Sequence, residues 1–329
     1  MLFDRAALSL EAMATVSGDR FGLVIPTLNA GADLDRLVPA LRSQSLRPSK
    51  FLVIDSSSTD DTVARLEAIG AEVQVIDRRT FDHGGTRQRA VETLVETDIV
   101  VFLTQDAVPA DPNTLQNLVG AFQNPSVGAA YGRQLPAPNA TPIAAHARLF
   151  NYPRSSELRS MADANRLGIK TAFCSNSFAA YRRKALLEAG GFPAHAILSE
   201  DMLVVAAMLA KGWDIMYVAS AQVYHSHNYT MDKEFRRYFD IGVLHGTHPE
   251  IIARFGTPAG EGWRFLHSEL GYLSRAAPFL IPNALVRTVS KYLGYRLGRL
   301  ASYLPTAFNR RISMNPGYWR QRTILPRWR

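Results

Sequence analysis

Acidic and histidine side chains follow several apolar runs of this sequence, and these residue types can bind cations or transfer protons. Asp106 comes just after the apolar run Ile99–Leu103, and two histidines, His225 and His227, follow a later apolar run. Carboxylate oxygens bind hard divalent cations such as Mg²⁺ or Mn²⁺, and Mn²⁺ also accepts imidazole. The Glu-Asp pair at residues 200–201 begins a predicted helix, whose N-terminus favours ionised carboxylates. A carboxylate there could accept a proton from a reacting hydroxyl.

Four apolar strands alternate with helices in the first half of the chain, and they would position these side chains. Such alternation is typical of a parallel sheet covered by helices on both faces, so we expect an α/β fold. Ligands bind these sheets beyond the carboxyl ends of the strands. The polar residues that fall there are Asn29, Asp55, Asp77 and Asp106. The predicted strands lie in FGLVIPTLN (21–29), KFLVIDSSSTD (50–60), EVQVID (72–77) and DIVVFLTQDA (98–107).

The chain from residue 130 to residue 230 is less regular. The segment SEDMLVVAAMLAKGW (199–213) predicts a buried helix with Ser199 as its N-cap. The segment DIMYVASAQVYHSHNY (214–229) predicts two short strands. The second of these would end at the histidines.

The tail from about residue 250 is basic and predicted to be helical. Residues 251–329 carry twelve Arg and one Lys against two Glu, a balance of +11, whereas the whole chain carries +8. One helix has an apolar stripe formed by Leu285, Val289, Leu293, Leu297, Leu300 and Leu304. Arg287 and Lys291 lie opposite this stripe. The pattern is typical of a helix at a membrane interface, which Trp319 and Trp328 also fit, or of a helix docked on its own domain.

Several classes of protein are excluded by what the sequence lacks. The single cysteine, Cys174, rules out an intramolecular disulfide and suits a reducing compartment. The first 20 residues do not have the pattern of a secretory signal, and no run of about 18 apolar residues predicts a membrane span. There is no GxxxxGK[ST] loop, no GxGxxG fingerprint and no GxSxG elbow. We therefore expect a soluble, cytoplasmic protein.

Several motifs, in chain order, resemble those of family 2 glycosyltransferases with the GT-A fold. VIPTLN and VIDSSSTDDT are similar to the family's first two strands and their loops. FLTQDA stands where the family has its Asp-x-Asp metal motif, and LSEDM where it has its catalytic acidic pair. TFDHGGTRQRA resembles the FxHGxTRN signature of rhamnosyltransferase members, and VYHSHNY and FRRYFDIGVLH are further matches. The resemblance covers roughly residues 20–250.

The resemblance implies a Rossmann-like GT-A domain, with a mostly parallel central sheet flanked by helices, over residues 1–250. Residues 251–329 would form a basic amphipathic helical extension. Within the domain, Asp55 is expected to bond the base or ribose of the donor nucleotide, and Arg87 to lie near its diphosphate. The expected nucleotide-binding residues are Pro26, Thr27, Asn29, Asp55, Arg87, Gln105 and Asp106. The expected residues around the donor sugar and acceptor are Asp82, His83, Asn176, Ser177 and Glu200.

The resemblance also implies a divalent cation, Mg²⁺ or Mn²⁺, to balance the charge of the leaving diphosphate. Only the last carboxylate of the metal motif remains here, and the resemblance makes that residue, Asp106, the ligand. Relatives use a histidine after the late strand, which matches His225. In an extended segment His227 points to the same face, so either histidine could bind the cation. Asp201, the second residue of the acidic pair, is the expected catalytic base.

The chain is accordingly interpreted as an inverting, metal-dependent glycosyltransferase. It would move L-rhamnose from dTDP-rhamnose, its nucleotide-sugar donor, to a cell-surface polysaccharide or a lipid-linked oligosaccharide. The C-terminal helices could hold it at the inner face of the cytoplasmic membrane. The alternatives are the same fold with another donor, such as a UDP-hexose, or a non-catalytic relative that binds membrane or nucleic acid. Because no RNA-binding signature accompanies the basic tail, nucleic acid is not an expected partner. The sequence leaves the oligomeric state open.

Overall fold

The computed structural model describes residues 20–257 and 259–322, in which nine strands form one mixed sheet. The strands are β1 (Phe21–Thr27), β2 (Lys50–Asp55), β3 (Glu72–Val75), β4 (Ile99–Leu103), β5 (Val108–Pro109), β6 (Val127–Leu135), β7 (Glu157–Arg159), β8 (Phe178–Arg182) and β9 (Asp214–Tyr224). Their spatial order is β3-β2-β1-β4-β8-β6-β9-β5, and β7 pairs with β9 outside this path.

The four strands predicted for the first half of the chain are all present and mutually parallel, in the order β3-β2-β1-β4. The direction changes at β8, which is antiparallel to both β4 and β6. Alternate residues of β1 enter different cores, since Val24 packs on one face of the sheet and Leu23 and Ile25 on the other. A sheet buried on both faces confirms the predicted α/β class.

Helices cover the two faces of the sheet and form the C-terminal part of the molecule. They are α1 (Gly31–Arg42), α2 (Thr62–Glu67), α3 (His83–Thr93), α4 (Thr114–Gly120), α5 (Pro142–Asn151), α6 (Ala164–Leu167), α7 (Arg183–Glu188), α8 (Glu200–Ala210), α9 (Met231–Thr247), α10 (Pro249–Phe255), α11 (Ala259–Ala276), α12 (Ile281–Arg299), α13 (Thr306–Ile312) and α14 (Pro316–Arg322). The tail is therefore helical, as predicted. The domain division at residue 250 stays a prediction.

One prediction for the middle of the chain is wrong, because the segment expected to form two strands forms the single strand β9. Its parallel pairing with β6 shifts register between the pairs Gly132↔Val218 and Arg133↔Gln222. An irregularity within one strand, and not a turn, therefore separates the two apolar halves.

A second difference concerns the N-cap of α8. The helix begins at Glu200 as predicted, but the side chain of Ser199 makes no capping hydrogen bond. The backbone of Ser199 is left-handed, with φ 56°, whereas a capping serine needs extended backbone to reach the first turn. The backbone before the acidic pair is thus held in an unfavourable conformation by its surroundings.

Helix α12 packs along α9 through glycines. A Cβ on Gly294 would lie 2.5 Å from the carbonyl oxygen of Phe235, and one on Gly298 would overlap the carbonyl oxygen of Phe239. Only glycine at these positions permits the two backbones to approach so closely. The buried face of α12 is therefore the face that carries the glycines, and also Lys291, which is 8% exposed.

The predicted apolar stripe of α12 points mostly outward. Its exposed members are Leu285, Val289, Leu293 and Leu300, each between 43% and 57% exposed. Leu297 differs, since it packs beside Phe239 and Trp319. The helix is therefore docked on its own domain, one of the two alternatives, but through its glycines and not through these four residues. The interfacial position of Trp319 is wrong, because its ring is buried. Trp328 lies outside the described residues.

In the described part of the chain, none of the helices combines the length and the apolar character that crossing a bilayer requires.

Candidate active site

Two groups of polar side chains meet at the edge where β4 ends and β8 begins. The antiparallel pairing puts Leu103 opposite Phe178. Just beyond this pair, the backbone N–H of Thr104 donates to the carbonyl oxygen of Ser177 at 3.2 Å. Asp106 follows β4 by three residues and Asn176 precedes β8 by two, so the loops that carry them lie side by side.

The first group is Asp106 with His225 and His227. The Oδ2 atom of Asp106 lies 3.3 Å from Nε2 of His225 and 3.8 Å from Nδ1 of His227. One ligand atom from each of the three residues lies within 4.8 Å of the others. A carboxylate oxygen and two imidazole nitrogens so arranged are suited to a divalent cation, and the imidazoles favour Mn²⁺ over Mg²⁺.

A buried glutamine orients His225 for this role. Oε1 of Gln134 accepts a hydrogen bond from the Nη1 group of Arg148, which fixes the amide because arginine can only donate. The same Oε1 lies 2.9 Å from Nδ1 of His225, and Nε2 of Gln134 donates to Ser175 at 2.9 Å. Nδ1 therefore donates to Gln134, which leaves Nε2, the nitrogen that faces Asp106, as the one that would bind a cation. Outer partners of this kind set the tautomer and direction of metal-binding histidines.

The protonation states of the group also suit a cation. Burial alone would raise the pKa of Asp106, but hydrogen bonds from His225 and Thr104 outweigh it and hold that pKa below its usual value. Removal from water and the neighbouring His225 lower the pKa of His227 to about 4. At neutral pH the carboxylate is thus ionised and the His227 ring is neutral, which are the forms that bind metals.

The second group is the acidic pair at the start of α8. The buried Glu200 bonds through Oε1 to Nη1 of Arg87 at 2.9 Å and to Nδ2 of Asn176 at 3.0 Å. Asp201 accepts hydrogen bonds from the backbone N–H groups of Asn176, at 3.0 Å, and Met202, at 2.8 Å. Glu200 is enclosed by its partners, whereas Asp201 is partly exposed.

The two adjacent carboxylates differ in proton affinity. Burial and the neighbouring Glu200 raise the pKa of Asp201 to about 7. Burial would also raise the pKa of Glu200, but the charge of Arg87 and that of His83 outweigh it, so this pKa is lowered. Two acids whose surroundings separate their pKa values in this way are typical of a catalytic site. Asp201 is the one that can exchange a proton near neutral pH.

Helix α3 holds the loop that leads into this pair. Both carboxylate oxygens of Asp82 accept from the backbone N–H of His195, at 3.2 and 3.3 Å. Oε1 of Gln88 accepts from the N–H of Phe192 at 2.9 Å. Gly84 packs on the carbonyl oxygen of Pro193, which a Cβ would overlap. The segment TFDHGGTRQRA thus docks on residues 191–195, shortly before the acidic pair.

The ends of β1 and β2 form a compact polar corner. Asp55 is 1% exposed, and its Oδ2 accepts from the hydroxyls of Thr27, at 2.8 Å, and Ser58, at 2.6 Å. Pro26, predicted to be near the nucleotide, pairs with Ile54 one residue earlier in the register. The carboxylate of Asp55 therefore braces the loop after β2.

The loop after β1 is held by two predicted nucleotide-binding residues. Oδ1 of Asn29 accepts from the backbone N–H of Thr59 at 2.8 Å. Oε1 of Gln105 accepts from the N–H of Leu28 at 2.9 Å, while its Nε2 donates to Asp33 at 3.0 Å. These contacts bring the carboxyl ends of β1, β2 and β4 together at one edge of the sheet.

The model of glycosyl transferase family 2 matches residues 23–190, a little more than half of the chain. The match includes the corner around Asp55, the candidate metal ligand Asp106 and the segment with Asn176. The chain belongs to this family.

Two O-antigen chain rhamnosyltransferases are similar to this glycosyltransferase over nearly its whole length. RfbN of Salmonella typhimurium is 48% identical over 298 residues, which cover 90% of this chain and 95% of RfbN. WbaN of Salmonella anatum is 47% identical over 300 residues, covering 91% of this chain and 95% of WbaN. The predicted resemblance to rhamnosyltransferases is therefore confirmed.

Two solved structures share the fold at low identity. S. aureus TarS 1-349 in complex with UDP-GlcNAc has a TM-score of 0.52 and 15% identity, and covers 86% of this chain and 91% of that chain. The mannosyltransferase PcManGT from Pyrobaculum calidifontis, in complex with GDP-Man and Mn²⁺, has a TM-score of 0.51 and 18% identity, covering 93% and 86%. The predicted GT-A fold of this family 2 glycosyltransferase is thus confirmed.

Some predicted site residues of the glycosyltransferase have partners or positions other than those that the family resemblance implied. Arg87, expected near the diphosphate, is buried against Glu200, and its guanidinium lies 5.9 Å from the ring centre of Phe102. Asp82 lies at the contact between α3 and the 191–195 loop, while His83 is exposed in the first turn of α3. The charge of Arg87 is already balanced, so its role in binding a diphosphate stays a prediction.

Sequence reasoning missed Gln134, although this residue orients His225. The sequence contained one signal for Gln134, which is its position near the end of a buried strand. Arg133 and Gln134 are polar residues near the end of β6, just as Thr104 and Gln105 are polar residues after the end of β4. Its partner lies 91 residues away in the chain, which no local pattern reveals.

Proposed function

We propose that this glycosyltransferase moves L-rhamnose from dTDP-rhamnose to a hydroxyl of a lipid-linked O-antigen glycan, with inversion at the anomeric carbon. The observation that carries the proposal is that Asp201 accepts from the backbone N–H of Asn176, whose loop lies beside the loop of Asp106 at one sheet edge. The similarity to two O-antigen chain rhamnosyltransferases supports the sugar and the acceptor class.

The donor would lie with its nucleotide along the ends of β1 and β2. Asp55 and Thr27, which hydrogen-bond each other at that corner, would shape this part of the donor site. Asp106, His225 and His227 would hold a divalent cation, and when bound this cation would balance the charge that develops on the leaving diphosphate. Thr104 supports this arrangement, because its hydroxyl donates to Oδ1 of Asp106 at 2.7 Å and leaves Oδ2 facing the histidines.

The acceptor hydroxyl would approach from the side of Asp201. Its oxygen attacks the anomeric carbon while the bond to the diphosphate oxygen breaks, and the bonding electrons leave with the diphosphate. Asp201 takes the hydroxyl proton as the new bond forms. Glu200 keeps its charge beside Arg87, which maintains the raised proton affinity of Asp201.

Turnover of a panel of nucleotide sugars tests this function. With a lipid-linked acceptor and Mn²⁺, dTDP-rhamnose should be consumed at least about 10-fold faster than UDP-glucose or UDP-N-acetylglucosamine. A chelator should stop the reaction, and NMR of the product should show the inverted anomer. A clear preference for a UDP-sugar would reject the rhamnosyl assignment, and retained configuration would reject the single displacement.

We also propose that α12 and its neighbours contact the inner face of the cytoplasmic membrane. Beyond the stripe, the exposed apolar residues of this part of the molecule include Trp263, Phe279 and Tyr303, which are 74%, 78% and 84% exposed. Exposed apolar groups beside exposed arginines are typical of reversible binding to anionic lipid. This placement would bring the enzyme to lipid-linked acceptors.

A further inference from the structure

Arg287 connects α12 to the loop that ends at Tyr229 and to the start of α9. From α12 its Nη1 group donates to the carbonyl oxygen of Tyr229 at 2.9 Å. The same nitrogen lies 3.0 Å from Oε2 of Glu234 in α9, and its Nε donates to Asn283 at 2.6 Å. The Arg287 side chain is 17% exposed, so it is mostly enclosed by these partners.

Tyr229 is in contact with the candidate metal site. Its ring stacks on His227, with the ring centres 5.0 Å apart and the planes at 29°. The rings of His225 and His227 also touch, with centres 4.6 Å apart. A displacement of Tyr229 would therefore be passed directly to one candidate ligand and, through it, to the other.

The loop from His225 to Tyr229 is held at both ends. On one side, the hydroxyl of Ser226 accepts from the N–H of Ala137 at 3.2 Å, and Oδ1 of Asn228 accepts from the N–H of Thr141 at 2.9 Å. On the other side, Arg287 bonds the carbonyl of Tyr229. A loop fixed in this way presents its side chains in one geometry, which a metal site requires.

We propose that Arg287 is a positioning residue for the cation site. By holding the Tyr229 carbonyl, Arg287 fixes the position of the Tyr229 ring. Because His227 stacks on that ring, Arg287 also fixes the distance between His227 and Asp106. This inference deepens the proposed function, since it concerns the cation that the function uses. Arg287 lies outside all the family motifs found in the sequence, so its position in the sequence did not predict this role.

The competing explanation is that Arg287 serves only as the ion-pair partner of Glu234. Removing one member of a buried ion pair destabilises a protein whatever its function. The double variant Arg287→Gln/Glu234→Gln removes both charges and also the bond to Tyr229, whereas Glu234→Gln alone leaves that bond in place. Arg296→Gln is the matched control, because Arg296 is an exposed arginine of the same helix.

The test measures two properties that need neither donor nor acceptor. Hydrogen–deuterium exchange of the metal-free protein reports the loop at residues 225–229, and titration with Mn²⁺, followed by electron paramagnetic resonance, gives the dissociation constant. Arg287→Gln and the double variant should exchange faster in this loop and bind Mn²⁺ about 10-fold more weakly. Arg296→Gln should match the wild type in both. Glu234→Gln, which keeps the bond to Tyr229, should keep wild-type exchange in this loop and wild-type Mn²⁺ affinity even where its global stability falls.

Wild-type exchange and Mn²⁺ affinity in the double variant would overturn the proposal, as would equal losses in Glu234→Gln. Failure of the wild type to bind Mn²⁺ would also overturn it. If Arg287→Gln alone does not fold, the charge-balanced double variant decides the outcome. Because both readouts are independent of sugar transfer, a failure of the proposed rhamnosyl activity leaves this test intact.

Discussion

At the scale of single residues, neighbours in the sequence can have opposite chemistry. Glu200 and Asp201 follow one another, but only Glu200 faces the guanidinium of Arg87. Burial and the negative charge that Glu200 keeps beside Arg87 both disfavour ionisation of Asp201, so the pKa of Asp201 rises to about 7. A carboxylate with this pKa is matched to proton transfer near neutral pH.

Replacing Asp201 by Asn should lower kcat by about 10²- to 10⁴-fold, because the amide cannot accept the hydroxyl proton. Binding of the donor nucleotide, measured by calorimetry, should be unchanged. Asp232→Asn is the control, since Asp232 is also an acidic residue in the first turn of a helix but is exposed and paired with Arg236. Comparable activity of Asp201→Asn and the wild type would remove Asp201 from the mechanism.

The raised pKa of Asp201 also predicts the pH dependence of the reaction. The base acts only when ionised, so log kcat/KM should rise with pH below about 7 and become level above it. Steady-state rates measured from about pH 5.5 to 8.5 would show the inflection. Any residual activity of Asp201→Asn should lack it. A wild-type profile that is flat below neutral pH would contradict the assignment.

At the scale of elements, the rhamnosyltransferase signature in α3 holds a neighbouring loop in place. Asp82 and Gln88 bond the loop at residues 191–195, and Gly84 permits the close contact with Pro193. At Gly84 the close contact is with the protein's own backbone, so the motif supports the loop that precedes the acidic pair.

Gly84→Ala should destabilise the protein by about 1–3 kcal/mol, because the new methyl group would overlap the carbonyl oxygen of Pro193. It should also lower kcat, since the loop before Glu200 must shift. Urea denaturation and steady-state kinetics measure the two effects. Gly271→Ala is the control, as a Cβ there has no heavy atom within 4 Å and lies inside α11. Unchanged stability of Gly84→Ala would mean that this packing is not tight.

At the scale of the whole molecule, the orientation of α12 decides what its apolar stripe can touch. The helix turns its glycines toward α9 and its Leu285, Val289 and Leu293 toward solvent. Meanwhile Arg287, on the inner side, bonds the loop next to the cation site. Helix α12 thus connects the proposed membrane-facing surface to the proposed metal site.

The double variant Val289→Gln/Leu293→Gln should bind anionic liposomes at least about 10-fold more weakly, because two apolar side chains are lost from the contact. Co-sedimentation with vesicles containing phosphatidylglycerol measures the change, and turnover of a water-soluble acceptor should be unaffected. Val95→Gln/Leu187→Gln is the matched control, since both residues are exposed and apolar but lie outside the tail. Equal vesicle binding by the two double variants would exclude the stripe as the contact surface.

The sequence by itself determined the α/β class, the family and the positions of the candidate residues. These depend on short-range patterns: an apolar run specifies a buried strand, and the polar residue that ends it lies at the sheet edge. Asp106 and the two histidines were found in this way, whereas the acidic pair was found at the start of a predicted helix.

Only the tertiary structure decided which partner each of these residues has. Arg87 bonds Glu200, Gln134 orients His225 across 91 residues, and Arg287 bonds Tyr229 across 58. The face of α12 that is buried was likewise decided by its glycines and their fit to α9. Hydrogen bonds and close packing act over a few ångströms in space regardless of separation along the chain, so no pattern in one sequence reveals them.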